Sequence, residues 1–242
     1  IGADLTLAHA ISIGATEGII KTNSTVDITQ SVGGTGQLVL EGGRFTLTGT
    51  NTQLGGTKVL NSTLTVGSDA NLGAVDAGVL TLENGTLQAT GDIVAKRNVV
   101  LNGTINTLNT NVNAVTLNGS VSGNGGLFKD GSGSLTLNGA NTYSGGTNIN
   151  AGTAIISKDN SFGTGQATFA TGTALTTAAG VTVSNLINLA GDATLHSSTH
   201  DSSLNGVISG AGSLTKDGSG SVSLNGANTY SGGTNINAGT AI

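Results

Sequence analysis

The sequence predicts an all-β protein, a right-handed single-stranded parallel β-helix of about eleven coils, and three observations predict it. The phrase NGANTYSGGTNINAGTAI stands at residues 138–155 and returns letter for letter at 225–242. Glycine occurs 41 times in 242 residues, proline and cysteine never, and aromatics make up 2%. Short runs of Thr, Val, Ile and Leu alternate with Asn-Gly pairs, the composition of short strands separated by tight turns.

The composition excludes the alternatives. The six aromatics, Phe45, Phe128, Tyr143, Phe162, Phe169 and Tyr230, are too few to dominate the core of an ordinary globule. A net charge of -5, no proline and many β-branched residues argue against disorder. Collagen is excluded because glycine keeps no three-residue period. Helix formers never cluster, so almost no helix is expected. The basic residues Lys21, Arg44, Lys58, Lys96, Arg97, Lys129, Lys158 and Lys216 are scattered, which excludes a nucleic-acid partner. The chain starts IGADLTLAHAISIG, with no signal-peptide pattern, and holds no apolar run long enough to span a membrane as a helix. It reads as one segment, 1–242, of a larger precursor.

The repeat sets the organisation. Asn138 and Asn225 open identical phrases, an offset of 87 residues. Upstream, GSVSGNGGLFKDGSGSLTLNGANTY from Gly119 matches GVISGAGSLTKDGSGSVSLNGANTY from Gly206. Repeats therefore occupy 119–157 and 206–242, and a degenerate copy occupies 34–64, where Gln53 and Leu54 replace Tyr143 and Ser144. Coils of roughly 20–25 residues make each 87-residue unit about four coils. Residues 87 apart, such as Leu137 and Leu224, Tyr143 and Tyr230, or Ile149 and Ile236, are then expected at equivalent positions. Val, Ile, Leu, Ala and Thr stack inward, filling a narrow core without aromatics, and Thr, Ser and Asn point outward. Asn-Gly pairs at 84, 102, 118, 138, 205 and 225 are expected to turn the chain through positive φ. A sandwich of two-residue hairpins is the rival reading of those pairs, but it leaves the long repeat unexplained. The last coil, ending at Ala241-Ile242, shows no evident cap.

The repeated phrase resembles the passenger-associated transport repeat of bacterial autotransporters. The resemblance rests on Gly123, Gly125, Lys129, Gly131, Gly133, Leu135, Leu137, Asn141, Thr142, Tyr143, Gly145, Thr147, Gly152 and Thr153. It recurs at Lys216, Gly218, Gly220, Leu224, Asn228, Thr229, Tyr230, Gly232, Thr234, Gly239 and Thr240. Residues 82–103 are similar to the stretch that often separates such repeats. The resemblance implies a right-handed β-helix passenger, carried to the cell surface or beyond by a C-terminal outer-membrane barrel in the full precursor. It implies functions as varied as adhesion, self-association, cytotoxicity and proteolysis, because the repeat marks the stalk and not the activity.

Candidate chemistry is sparse, and no cofactor is expected. His196, His200 and Asp201, with Asp192 nearby, are the weak metal candidates, but no helix brings the two histidines together. DGSGS at Asp130 and Asp217 is a poor match to a serine-protease loop and reads as turn chemistry. Asp92, Lys96 and Arg97 lie close together as a sugar-cleaving site would require, without a second carboxylate cluster. Tyr143 and Tyr230 are either exposed binding anchors or turn-packing residues. The sequence thus favours a non-enzymatic rod for adhesion, self-association or biofilm formation. Its partners would be a second copy or molecules of host or neighbouring cells. The alternatives are a polysaccharide-active enzyme and a purely structural spacer or filament.

Overall fold

The computed structural model describes residues 4–242, so the first three residues of the expected 1–242 segment lie outside the described residues. All sheet pairings are parallel, and each joins a strand to the strand one coil away, giving a solenoid of about twelve turns and three faces. At about 4.8 Å per coil, twelve turns make a rod on the order of 55 Å long.

The first face is an unbroken eleven-stranded sheet running from Leu5–Leu7 to Ile208–Gly210. The second face starts with the pair Ile11–Ile13 and Val32–Gly34 and resumes as an eight-stranded sheet from Ile93–Ala95 to Thr234–Ile236. The third face holds a six-stranded sheet from Glu17–Lys21 to Val121–Gly123 and a four-stranded one from Thr182–Val183 to Thr240–Ala241. Among the described residues the one helical element is the single 3-10 turn Asp69–Leu72.

Strand alternation builds the core. Side chains at alternate positions point to opposite faces, so Leu135 and Leu137 are buried while Ser134 and Thr136 are half-buried outside. Register stacks like on like: Val26, Phe45, Leu64, Leu87 and Leu108 form one inward column of the first face. Aromatics contribute more to the core than the sequence suggests. Phe45, Tyr143, Phe162 and Phe169 are buried, and Phe162 meets Phe169 edge-on with ring centres 6.1 Å apart. Tyr143 and Phe162 lie where the third face has no strand, so bulk fills space that stacked strands fill elsewhere.

The Asn-Gly pairs turn mostly by another route. Only Asn84 (φ 49) and Gly103 (φ 73) among them take positive φ. At Gly119, Gly139, Gly206 and Gly226 a Cβ would stand 1.9–2.4 Å from a carbonyl oxygen of the preceding coil. These glycines let coils stack backbone on backbone at the corners.

The expected four-coil register is corrected. Lys129 lies on the first face in Gly126–Asp130, whereas Lys216, 87 residues on, lies on the second in Leu214–Asp217. Likewise Leu137 is on the second face and Leu224 on the third. The degenerate copy enters on the third face with Gln37–Glu41. Successive copies are thus separated by four coils and one face, so three copies visit three different faces. Coils vary in length, with 19 residues between Val26 and Phe45 but 23 between Leu64 and Leu87, which lets 87 residues span more than four coils.

Candidate functional site

The repeat phrase explains where the sheets are interrupted. Residues 51–53 break the second face, 141–143 the third, and 228–230 follow the last strand of the first. At each break an asparagine side chain takes over part of the ladder. The Oδ1 of Asn51, Asn141 and Asn228 accepts the backbone N–H of Val32 at 2.7 Å, Val121 at 2.8 Å and Ile208 at 2.8 Å. The Nδ2 of Asn51 and Asn141 donates onward to the carbonyls of Asn71 and Ser161, at 2.5 and 2.6 Å. One amide thus bridges three coils, because it carries its acceptor and its donor on two separate atoms that can reach opposite neighbours. The strand entering each break ends on Gly34, Gly123 or Gly210, at φ 105, 108 and 112.

Two residues after the asparagine, Tyr143 is buried and its hydroxyl meets Thr147 Oγ1 at 2.6 Å. Burial pushes this phenol well above its ordinary range, and the bond to Thr147 only partly opposes that. Tyr230 and Thr234 repeat the pair near the end of the chain, where Tyr230 is partly exposed. In the degenerate copy Gln53 reaches Thr57 Oγ1 at 3.0 Å, so an amide spans the same four-residue gap. Tyr143 belongs to the core and Tyr230 packs against it, so neither stands out as an exposed anchor.

Lys129 is fully buried in an inward column between Leu108 and Ile149. Its ammonium bonds Thr110 Oγ1 at 3.0 Å and the carbonyls of Asp130 at 3.0 Å, Gly131 at 2.6 Å and Ala151 at 2.9 Å. Lys216 makes the same cage from the carbonyls of Asp217, Gly218 and Ala238, at 2.8, 2.7 and 3.3 Å. Burial lowers the Lys129 ammonium to about 8, partly offset by the charge of Asp130. Three carbonyls at one point suit three ammonium donors, and the result staples a corner to the next coil. The degenerate copy places Leu40 at this position.

The remaining motif residues serve close stacking. A Cβ on Gly133, Gly145, Gly220 or Gly232 would lie 1.9–2.4 Å from the coil beneath, while Gly131 and Gly218 take φ 81 and 80. Thr147 is buried, whereas Thr142 and Thr229 point to solvent.

The candidates for chemistry are engaged elsewhere. Asp92 accepts the N–H of Ala114 at 2.8 Å, Asp192 that of Ser213 at 2.8 Å and Asp201 that of Ser221 at 3.2 Å, each one coil on. Bonds from Ser213 and Ser221 hold the Asp192 and Asp201 carboxyls below the usual range. His196 Nδ1 lies 3.3 Å from Asp217, and His200 is exposed at the loop. Among the described residues, no three His, Asp, Glu or Cys side chains gather as metal ligands. Arg97 does not pair with Asp92. It is buried, with Nε 2.6 Å from Asp69 Oδ1 and its other nitrogens on the carbonyls of Asp69, Leu72, Gly73 and Gly78. Sequence reading missed this pair, because 28 residues separate its members and no motif joins them.

The passenger-associated transport repeat family matches at residues 127–153 and 214–240, the two phrases just described. Over 80% of its length the chain is 33% identical to an adhesin, the BmaC autotransporter of Brucella suis biovar 1 (strain 1330). It spans 6% of that relative's length. No solved structure matches the chain.

Proposed function

Because the chain is a segment of an autotransporter passenger domain, we propose that it is a non-enzymatic β-helical stalk mediating adhesion, self-association or biofilm formation. In the full precursor a C-terminal outer-membrane barrel would deliver it to the cell surface or the medium. One observation carries the reading: Asp92 and Arg97, two of the three groups that suggested a sugar-cleaving site, hold one coil on another, as do Asp192 and Asp201 of the histidine segment, and exposed Lys96 stands apart from any carboxylate cluster among the described residues. What faces outward along the strands is mainly Thr, Ser and Asn, a surface of donors and acceptors suited to reversible contact. The named relative, an adhesin, points the same way. Coil-on-coil packing supports export as well, since each coil as it emerges can fold on the one before.

Displaying or deleting the segment on cells and scoring aggregation and surface attachment tests the proposal, beside a polysaccharide-degradation assay on the purified chain. Loss of aggregation or attachment on deletion, without degradation, is expected. Degradation abolished by Asp92→Ala or Asp192→Ala would make it an enzyme. Unchanged aggregation and attachment would reduce it to a spacer.

A further inference from the structure

We propose that Phe128, lying over Gly126 beside Ile105 on the first face, is a stacking platform for a neutral glycan. The inference deepens the adhesive reading by naming the class of ligand, and it rests on that reading.

Phe128 is the exception among the aromatics. Phe45, Tyr143, Phe162 and Phe169 are buried, and Tyr230 packs against the core. Phe128 occupies an outward position of Gly126–Asp130, between inward Leu127 and Lys129, and is only half-buried. Its ring edge, at Cε2, comes within 3.2 Å of where a Cβ on Gly126 would stand, so the ring covers a residue without a side chain. Gly126 pairs across the coils with Ile105, which is 54% exposed. Ring and isoleucine together form an apolar step on the sheet.

The rest of the repeat does not need this step. In the later copy Thr215 and Ser213 stand where Phe128 and Gly126 stand, while the flanking motif residues Leu127, Lys129, Asp130 and Gly131 recur as Leu214, Lys216, Asp217 and Gly218. Where the ring is replaced by threonine, the glycine beneath it is replaced by serine, which is consistent with a ring that lies over a bare backbone.

The surroundings select the ligand. In register, Phe128 lies between Thr107 and Asn148 on the neighbouring coils, and Asp130 follows it on its own strand. A pyranose has an apolar C–H face and a rim of hydroxyls, which fits an aromatic face edged by a hydroxyl, an amide and a carboxylate. Two apolar side chains fall far short of the several hundred Å² of a protein-docking patch. Anionic lipid would require basic residues, and the neighbouring cation, Lys129, is buried inside the rod. Asp130 beside the platform opposes an acidic sugar.

The test uses the purified chain with cellohexaose, laminarihexaose and maltohexaose, with hexagalacturonate as the acidic comparison. Saturation-transfer NMR and a titration following ring-labelled phenylalanine should show at least one neutral hexasaccharide on Phe128. The double variant Gly126→Ser, Phe128→Thr reproduces the later copy's residues, so it should keep the wild-type circular dichroism spectrum while binding about tenfold more weakly or not at all. No transfer from any neutral hexasaccharide, binding of the acidic one alone, or undiminished binding by the double variant overturns the proposal. If deletion of the segment abolishes attachment while no hexasaccharide binds, the adhesive reading stands and the glycan platform falls. If hexasaccharides bind at Phe128 and deletion leaves attachment unchanged, the adhesive reading falls and the platform stands.

Discussion

Tyr143 and Tyr230 occupy the same place in identical eighteen-residue phrases, yet Tyr143 packs on the third face of the rod and Tyr230 on the first. The cause is phase. Four coils and one face separate the copies, so the phrase turns by a third of a revolution each time it recurs. A chain carrying three copies in this phase presents the phrase to three sides.

Spin labels can read this phase. Thr136, Ile155, Thr176, His196 and Asp217 follow one another in register up the second face. Labels at Thr136 and Asp217 should therefore lie four coils apart, with backbones about 19 Å from each other. Labels at Thr136 and Ser223, 87 residues apart, should be farther, because Ser223 lies on the third face. A shorter distance for the Thr136–Ser223 pair would restore the four-coil register.

Much of this rod is legible in the sequence, and the illegible parts share a cause. The repeat, the short strands and the inward Leu and Val follow from period-two alternation and the recurring phrase. The phase does not, because coils of 19 to 23 residues make a third of a turn invisible to counting. Lys129 has the parity of an inward residue, two after Leu127, but a charge argues for solvent until its carbonyl cage is seen. Asp92, Asp192 and Asp201 look like candidates for chemistry or metal binding because the N–H each one caps lies a whole coil away, at a distance in sequence that becomes meaningful only once coil length is known.

The lysine cages should be visible to chemistry. Lys129 and Lys216 are buried with their ammonium groups occupied, whereas the Lys21 side chain is 70% exposed. Brief acylation with an N-hydroxysuccinimide ester, read by mass spectrometry, should label Lys21 and spare Lys129 and Lys216 until the chain is denatured. Lys129→Met, which keeps most of the apolar stem but strands several buried acceptors, should cost about 2–4 kcal/mol in urea denaturation. A cost near zero would mean the cage contributes nothing.

Three substitutions at the third-face break separate bridge from filler. Asn141→Ala leaves the Val121 N–H and the Ser161 carbonyl without partners and should cost about 2–3 kcal/mol. Tyr143→Phe removes only the bond to Thr147 and should cost about 1 kcal/mol. Tyr143→Gln copies Gln53 of the degenerate repeat and can reach Thr147, but it vacates ring volume and should cost more than Tyr143→Phe. Hydrogen exchange at Val121 and Thr142 is the local readout, and fast exchange in Asn141→Ala alone is the expected pattern.

Arg97 should hold the excursion between residues 69 and 78 against the rod. Its guanidinium bonds one carboxylate and four carbonyls, all contributed by residues 69–78, from a position where its own side chain is inaccessible to solvent. Arg97→Ala leaves the nearly buried Asp69 carboxylate without its cation and several carbonyls without donors, a loss of about 3–5 kcal/mol. Arg97→Lys keeps the charge but offers three donors from one point in place of a planar fork, and should recover only part of that loss. Limited proteolysis distinguishes the outcomes: the wild-type chain should resist cleavage between 69 and 78, Arg97→Ala should be cut there first, and Arg97→Lys should fall between. Equal resistance in all three would show that the stacked coils, and not the arginine, keep the excursion in place.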